Sequence, residues 1–507
     1  STASLVESFS ISGLHGYRSV SLASPYAATI LIAQNGSGKT TLLGVLDAFL
    51  KTQFTRLREL KFNEIRCRLN GIEEELVLNY EDIQILHEIP ADAEIAKAAR
   101  KYDLDPYKLF RYLADDYPSA KQNYVAMSDD PIMSAIGRSE GYIRSKINSV
   151  LERLYTNLYE HSARLQIISL LVKSRLKGIE VIYLPTYRRI ELPLNNELED
   201  APSKRKRQPI KFPSSIFTGD IQFGLSDISQ RLSELNQHIL INSNTGYRQI
   251  TADIVNELID GTFERNEVET EEIPNREELS LFFGRIREGV RHIGIGPVQQ
   301  FNIPDIEKIY ATIDRSTDTN KFLKYFLSKL NTVIEATRSI ESTVEDFIKS
   351  CNKYLSSEDI STGLPNSEDD EIRTYNIDDK VLRLDRKTLT VFAESKVSKH
   401  KVPLEALSSG EKQMVSLFAK IFLYPNEKIL LIDEPELSLS IEWQRHILED
   451  VVNAPLCQQV IAITHSPFVF DNALGPFARS LRLGIEMTAF LQNDDSEADD
   501  SDQSPLA

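Results

Sequence analysis

The sequence predicts an α/β chain, a mixed sheet with helices divided by a long and mainly helical insertion. Three observations predict it. A short apolar strand run, Thr29-Ile30-Leu31-Ile32, feeds a glycine-bearing loop and then apolar Leu42, Leu43, Val45, Leu46 and Phe49 near helical spacing. Strand-like runs return after residue 371, among them 429–432 and 460–463. Between these two blocks lie about 290 residues of predominantly helical pattern.

Taken in order, residues 6–22 read as two short strands around His15-Gly16. Residues 60–69 and 72–80 flank Asn70-Gly71, the strongest short hairpin signal, so a tight turn is expected there. Two stretches of the insertion have heptad-like spacing: Ile143, Ile147, Val150, Leu154, His161, Leu165 and Ile168, then Phe322, Phe326, Leu330, Val333, Thr337, Ile340, Val344, Phe347 and Cys351. Helices in a globular bundle and an antiparallel pair forming a short arm both fit this spacing. A strand is expected at 179–184 and a polar loop around Lys204-Arg205-Lys206-Arg207. Farther on come a hairpin of 380–384 with 388–392 across Asp385-Arg386, a helix from about Gly410 and another at 441–452. The expected domains are a head with two parts, 1–81 and 371–490, an insertion at 82–370 with a lobe-joining segment near 179–191, and a disordered acidic tail at 491–507.

Composition narrows the class. With 58 Lys and Arg against 75 Asp and Glu, the formal charge is −17, so nucleic acid would have to be met by a local basic patch against the overall field. Cys67, Cys351 and Cys457 are far apart and form no CxxC pair, which argues against a disulfide framework or a structural zinc. No run of about 18 apolar residues and no basic leader with an apolar core occurs, so a cytoplasmic protein without a membrane partner is expected.

Chemistry concentrates in four motifs. Ala33-Gln34-Asn35-Gly36-Ser37-Gly38-Lys39-Thr40-Thr41 matches the phosphate-binding loop (Walker A) except for alanine at its first glycine. There backbone N–H groups can hold phosphates, Lys39 can reach the β and γ oxygens, and Thr40 can offer its hydroxyl to Mg²⁺. Asp433 follows Lys39 by 394 positions, at the end of Ile429-Leu430-Leu431-Ile432-Asp433-Glu434-Pro435 (Walker B). Asp433 is expected to hold Mg²⁺ and Glu434 to orient and deprotonate the attacking water. Leu407-Ser408-Ser409-Gly410-Glu411 opens a helix whose N-terminus can face a γ-phosphate, and Thr464-His465-Ser466-Pro467 places an imidazole at a strand end.

In this order, with 23 positions from Gly410 to Asp433 and 32 from Asp433 to His465, the motifs resemble those of ABC-class ATPases: transporter cassettes, Rad50/SMC/RecF heads and phage-defence ATPases. The resemblance implies an ABC-type P-loop ATPase head that uses ATP and Mg²⁺ in nucleotide-sandwich dimers. It further implies that Ser408, Ser409, Gly410 and Glu411 act in trans on a partner's nucleotide. It casts Arg18, in Gly16-Tyr17-Arg18-Ser19, as a phosphate-facing arginine; an exposed charge at a strand turn is the other reading. Departures are Leu437-Ser438-Leu439-Ser440, where relatives carry a D-loop aspartate or a histidine-rich turn, and the lack of an assigned Q-loop glutamine.

Within that class the insertion is too interrupted by proline for a long coiled coil, and the stretch after Ser466 is too short for a fused Toprim nuclease. Residues 434–444, 463–467 and 183–189 resemble most the PtuA ATPases of Septu-type, retron-associated antiphage systems. That resemblance implies a slow ATPase with no nuclease centre of its own, assembled as a homodimer or higher even oligomer. Its partners would be an HNH nuclease (PtuB-like) and a retron reverse transcriptase with its msDNA. The alternative is a RecF-like repair ATPase that binds DNA as an ATP-dependent dimer. Lys204 to Arg207, with Arg188, Arg189, Arg56, Arg58, Lys61, Arg66 and Arg68, is the candidate basic patch, and a merely solvated loop is the competing reading.

Overall fold

The structure is a computed structural model; it describes residues 4–33, 38–84, 86, 89–117, 131–185, 225–260, 272–292, 304–313, 318–355, 379–388, 390–436 and 439–485. In chain order the first elements are β1 (Val6–Leu14), β2 (Arg18–Ala23), β3 (Ala28–Ile32), α1 (Lys39–Leu50), β4 (Glu64–Leu69), β5 (Leu76–Asn79), α2 (Tyr80–Gln84), α3 (Glu94–Tyr102), α4 (Pro106–Arg111), α5 (Pro131–Glu140), α6 (Arg144–Thr156), α7 (Ala163–Arg175) and β6 (Ile179–Leu184). There follow α8 (Leu225–Ile259), α9 (Arg276–His292), α10 (Ile306–Ile313), α11 (Asp318–Leu355), β7 (Lys380–Asp385), β8 (Thr390–Ser395), β9 (Lys401–Val402) and α12 (Ser409–Phe422). The last are β10 (Glu427–Asp433), α13 (Ile441–Val452), β11 (Cys457–Thr464), β12 (Ala478–Ser480) and β13 (Arg482–Ile485).

The chain forms two compact units, Ser1–Gln222 with Asn426–Ala507, and Phe223–Pro425. These cuts differ from the boundaries read in the sequence at 81/82 and 370/371: residues 82–222 group with the phosphate-loop block, and residues 371–425 with the long helices.

The first unit is built on a parallel sheet in the order β12-β3-β11-β10-β6. A parallel sheet covered on both faces needs apolar residues at every position rather than at alternate ones, and Ile429, Leu430, Leu431, Val460, Ile461, Ala462 and Ile463 are all at most 2% exposed. Helix α1 packs on β10 and β6, burying Leu42, Leu43, Val45, Leu46 and Phe49 completely. Burial of this kind stabilises by roughly 1.5–3 kcal/mol per side chain. Phe49 also meets Phe9 and Phe54 edge-on, with ring centroids 5.9 Å apart in each case. An antiparallel sheet in the order β13-β2-β1-β4-β5 lies in the same unit. Gln459, 1% exposed, ties the chain start to β11: its Oε1 accepts from the N–H groups of Leu5 and Val6 at 2.9 and 2.8 Å, and its Nε2 donates to Val6 O at 2.9 Å.

Two local expectations change. Asn70-Gly71 does not form a two-residue hairpin, because β4 and β5 pair only from Glu64↔Asn79 to Cys67↔Leu76. Beyond Cys67, β4 continues against β1, with Arg68↔Ser8 and Leu69↔Val6. The tight turn at Asn70-Gly71 is present, with Ile72 N–H donating to Leu69 O at 3.1 Å and Gly71 at φ 87°, but residues 70–75 join the two strands. The first heptad-like stretch is two helices, α6 and α7, since the chain turns between Asn157 and Ser162 and Ser162 caps α7 by accepting from Leu165 N.

In the second unit the other heptad-like stretch is one helix, α11, of 38 residues, about 57 Å long at 1.5 Å per residue. Its partner is the 35-residue α8, with the two antiparallel: Tyr325 hydroxyl bonds to Glu257, and Gly246 faces Val333. A Cβ at Gly246 would lie 2.7 Å from both Val333 methyls. Close approach of the backbones therefore explains a helix-interior glycine that by propensity costs about 1 kcal/mol. Glu341, 1% exposed, pairs with Arg285 at 3.0 Å and with Arg386 in the β7–β8 turn, so α9, α11 and the hairpin share one buried ion-pair cluster. Among the described residues no helix is long and apolar enough to cross a membrane.

Candidate functional site

Parallel strands end together at one edge, and this edge collects the first unit's motif residues. Pairing of β11 between β3 and β10 aligns Thr464 with Ile32 and Ile463 with Asp433. Ala33, Glu434 and His465 thus each stand one residue past a strand end. The carboxyl edge of an open parallel sheet, where the order of strands departs from the order of the chain, is the usual place for a ligand.

Lys39 opens α1 after Gly38, whose φ of 80° suits glycine. The lysine is 7% exposed, and its Nζ meets both Glu434 Oε1 and His465 Nε2. His465 Nε2 lies 3.2 Å from the same Glu434 oxygen. Lys39, hundreds of residues away in sequence, therefore converges on one point with Glu434 and His465. Glu434 holds φ 54°, a left-handed conformation that costs an ordinary residue energy, and its N–H is fixed by Ile463 O at 2.8 Å. Asp433, just before it, is 1% exposed. Thr40 and Thr41 are half-buried in the first turn of α1. Arg18 opens β2 with its guanidinium 4.9 Å from the Tyr17 ring centre. A Cβ on Gly38 would touch Val20 and Leu14, at 3.6 and 3.7 Å, so the β1–β2 hairpin that carries Arg18 packs against the end of the loop. Asn35, Gly36 and Ser37 lie outside the described residues.

The signature residues belong to the second unit. Ser408 caps α12 by accepting from Glu411 N at 3.3 Å, while Glu411 Oε2 accepts from Ser408 N at 2.6 Å, a complete capping box. Lys380 holds the same Glu411 oxygen at 3.3 Å. Ser408 and Ser409 are exposed and Gly410 is buried, leaving a rigid helix N-terminus with its serines open to solvent.

Glu436, Gln444 and Ser466 were given no role by motif reading, yet they bond to one another beside His465. The signal was the second glutamate of Glu434-Pro435-Glu436, two positions past the first. Burial pushes the Glu436 carboxyl up from the usual range. In Leu437-Ser438-Leu439-Ser440, Ser440 caps α13 by accepting from Trp443 N at 3.3 Å; Leu437 and Ser438 lie outside the described residues.

The basic patch reads differently in three dimensions. Arg56 is buried against Asp47 at 2.7 Å, Arg58 bonds the Tyr107 hydroxyl, Arg66 pairs with Glu64 and Glu75 at 2.5 and 3.1 Å, and Arg68 reaches Glu7 at 3.4 Å. Most of the hairpin's cations thus face acidic partners of the same unit. Arg188, Arg189 and Lys204 to Arg207 lie outside the described residues.

The donor set suits the group that the motifs imply. An ammonium at a helix N-terminus fits phosphate, and the hydroxyl of Thr40 and the buried carboxylate of Asp433 are oxygen ligands of the kind that a small divalent cation prefers. This is the arrangement of a P-loop ATPase. A family model described as the AAA ATPase domain matches residues 6–470, and the chain belongs to that family. The fold is the expected α/β, ABC-type P-loop ATPase head with a large helical insertion. Nothing among the curated proteins matches this sequence. Among solved structures, the Smc head domain from Pyrococcus furiosus with an extended coiled coil, bound to the C-terminal domain of ScpA, is similar at 11% identity and a TM-score of 0.32, over 97% of this chain and 99% of that one. The Smc head with a coiled coil and joint from Pyrococcus yayanosii is similar at 14% identity and a TM-score of 0.28, over the same shares of each chain.

Proposed function

We propose that the chain binds ATP with Mg²⁺ and slowly converts ATP and water to ADP and phosphate, as the sensor and scaffold subunit of an antiphage complex with a separate HNH nuclease. The convergence of Lys39, Glu434 and His465 carries the ATPase part. In the reading offered, Lys39 moves from Glu434 and His465 onto the β and γ oxygens, which frees the Glu434 carboxylate to orient the attacking water and take its proton. His465 faces the same water and the γ-phosphate. Thr40 and Asp433 would hold Mg²⁺, which supplies charge neutralisation at the phosphates when bound. Ser408, Ser409 and the N-terminus of α12 would close on the nucleotide of a second copy.

The defence assignment is supported by the likeness of residues 434–444 and 463–467 to PtuA ATPases. It makes an HNH nuclease the direct partner, with a retron reverse transcriptase and msDNA as its restraint, in the cytoplasm. The primary test is Glu434→Gln. Steady-state turnover of ATP should fall by about 10²–10³-fold with nucleotide binding retained, and light scattering should show more dimer with ATP than for wild type. An unchanged dimer fraction would refute the sandwich. Robust DNA cleavage by the purified chain alone would refute the division of labour, and a pull-down that returns repair proteins instead of a nuclease would favour the RecF-like reading.

A further inference from the structure

We infer that Glu436 is a positioning residue for ATP hydrolysis: it fixes the His465-Ser466 turn against the end of β10 and so sets the imidazole beside Glu434 and Lys39. The inference rests on the ATPase reading above and adds a residue to which that reading gives no part.

Glu436 Oε1 accepts the backbone N–H of His465 at 2.8 Å and that of Ser466 at 3.2 Å. Both lie immediately past the end of β11 at Thr464, where the ladder stops supplying acceptors. A charged acceptor on two successive N–H groups is stronger than a neutral one, and it restricts the direction in which the His465 side chain leaves the backbone. The turn is held from its other side as well. Ser466 Oγ donates to Gln444 Oε1 at 2.7 Å, while Gln444 Nε2 donates to the carbonyls of Glu436 and Leu439 at 3.4 and 3.1 Å. Gln444 belongs to α13, so the turn, the strand end and that helix are clasped together. The same strand end thus carries the carboxylate facing the lysine and, two residues on, the one that holds the histidine's backbone. Among the described residues Glu436 Oε2 is buried without a hydrogen bond, so the side-chain bonds described for this carboxylate run to the turn. A buried carboxyl of this kind is costly to keep, and the two N–H bonds give the physical reason for its presence.

Steady-state ATPase kinetics on the full chain test this, with Lys39→Ala and Glu434→Gln as controls for the site itself. Glu436→Ala should lower kcat by about tenfold or more while KM for ATP stays within about twofold, because the nucleotide contacts remain and the histidine is misplaced. Glu436→Gln keeps an oxygen that can accept both N–H bonds and should return kcat to within about threefold of wild type. If Glu436→Ala does not fold, Gln444→Ala loosens the turn from the other side and should show the same split. Wild-type kcat in Glu436→Ala, or in Gln444→Ala where that variant carries the test, while both controls are inactive, overturns this inference alone. Equal losses in the alanine and glutamine variants, with KM rising in step with lost thermal stability, also overturn it, since that is a structural role. Unimpaired controls would overturn the ATPase reading and this inference with it.

Discussion

Glu434 combines two demands at a single residue. Its carboxylate meets Lys39 and His465, and its backbone sits at φ 54°. A left-handed conformation costs an L-residue roughly 1–2 kcal/mol, whereas glycine adopts it freely. Glu434→Gly should therefore be more stable than Glu434→Ala by about 1 kcal/mol in chemical denaturation, although both lack the carboxylate and both should be inactive. Equal stabilities would mean that the backbone relaxes and that no strain is held at this point. Gly38, at φ 80°, shows the complementary case of a position where the residue type already matches the backbone.

At the scale of elements, the second unit depends on a buried charge cluster as well as on apolar packing. Burial pushes the Glu341 carboxyl up, but the hydrogen bond from Arg386 and the charge of Arg285 more than offset it and hold the group below the usual carboxylate range. The sign of the pH effect follows from a depressed folded pKa: the stabilisation is full above the unfolded value of about 4.3 and is lost as pH falls through the folded one. Unfolding monitored from pH 7 downward should show α8, α9 and α11 losing stability in the acid range, and Glu341→Gln should flatten that dependence. The same variant should cost roughly 3 kcal/mol at neutral pH, because Arg285 would then be left buried without its partner. A pH profile identical to wild type would remove the cluster from the account of stability.

At the scale of the molecule, the proposed mechanism needs two copies. Lys39 belongs to the first compact unit and the exposed serines of α12 to the second. If the signature acts in trans, Lys39→Ala and Ser409→Arg should each be inactive alone, while a mixture should recover turnover, since a mixed dimer retains one intact composite site. Random mixing of independent sites would restore about a quarter of wild-type activity in a twofold-symmetric dimer. No recovery after verified subunit exchange would count against action in trans.

The sequence by itself determined which residue types stand in each motif and which local element each motif adjoins. The phosphate loop, the strand ending in Asp433-Glu434, the capped helix at Ser408 and the histidine after β11 are local patterns, in which residue type and neighbours suffice. It also determined the helical character of residues 322–351, because heptad-like spacing over about eight turns leaves little ambiguity, and the helix extends from Asp318 to Leu355. Tertiary structure alone decided what meets what. Strand order put residues 28–32, 457–464, 427–433 and 179–184 side by side, and no local signal encodes the order of strands. Pairing with β1 carries β4 on to Leu69 while its ladder with β5 stops at Cys67, so the turn at Asn70-Gly71 forms without closing a two-residue hairpin. Carboxylates of the same unit pair with Arg56, Arg66 and Arg68 of the candidate basic patch, since charge in a sequence carries no record of what it will face. Glu436 is the clearest case: one glutamate among many until β10 and β11 lie parallel, when its carboxylate comes within 2.8 Å of the His465 N–H.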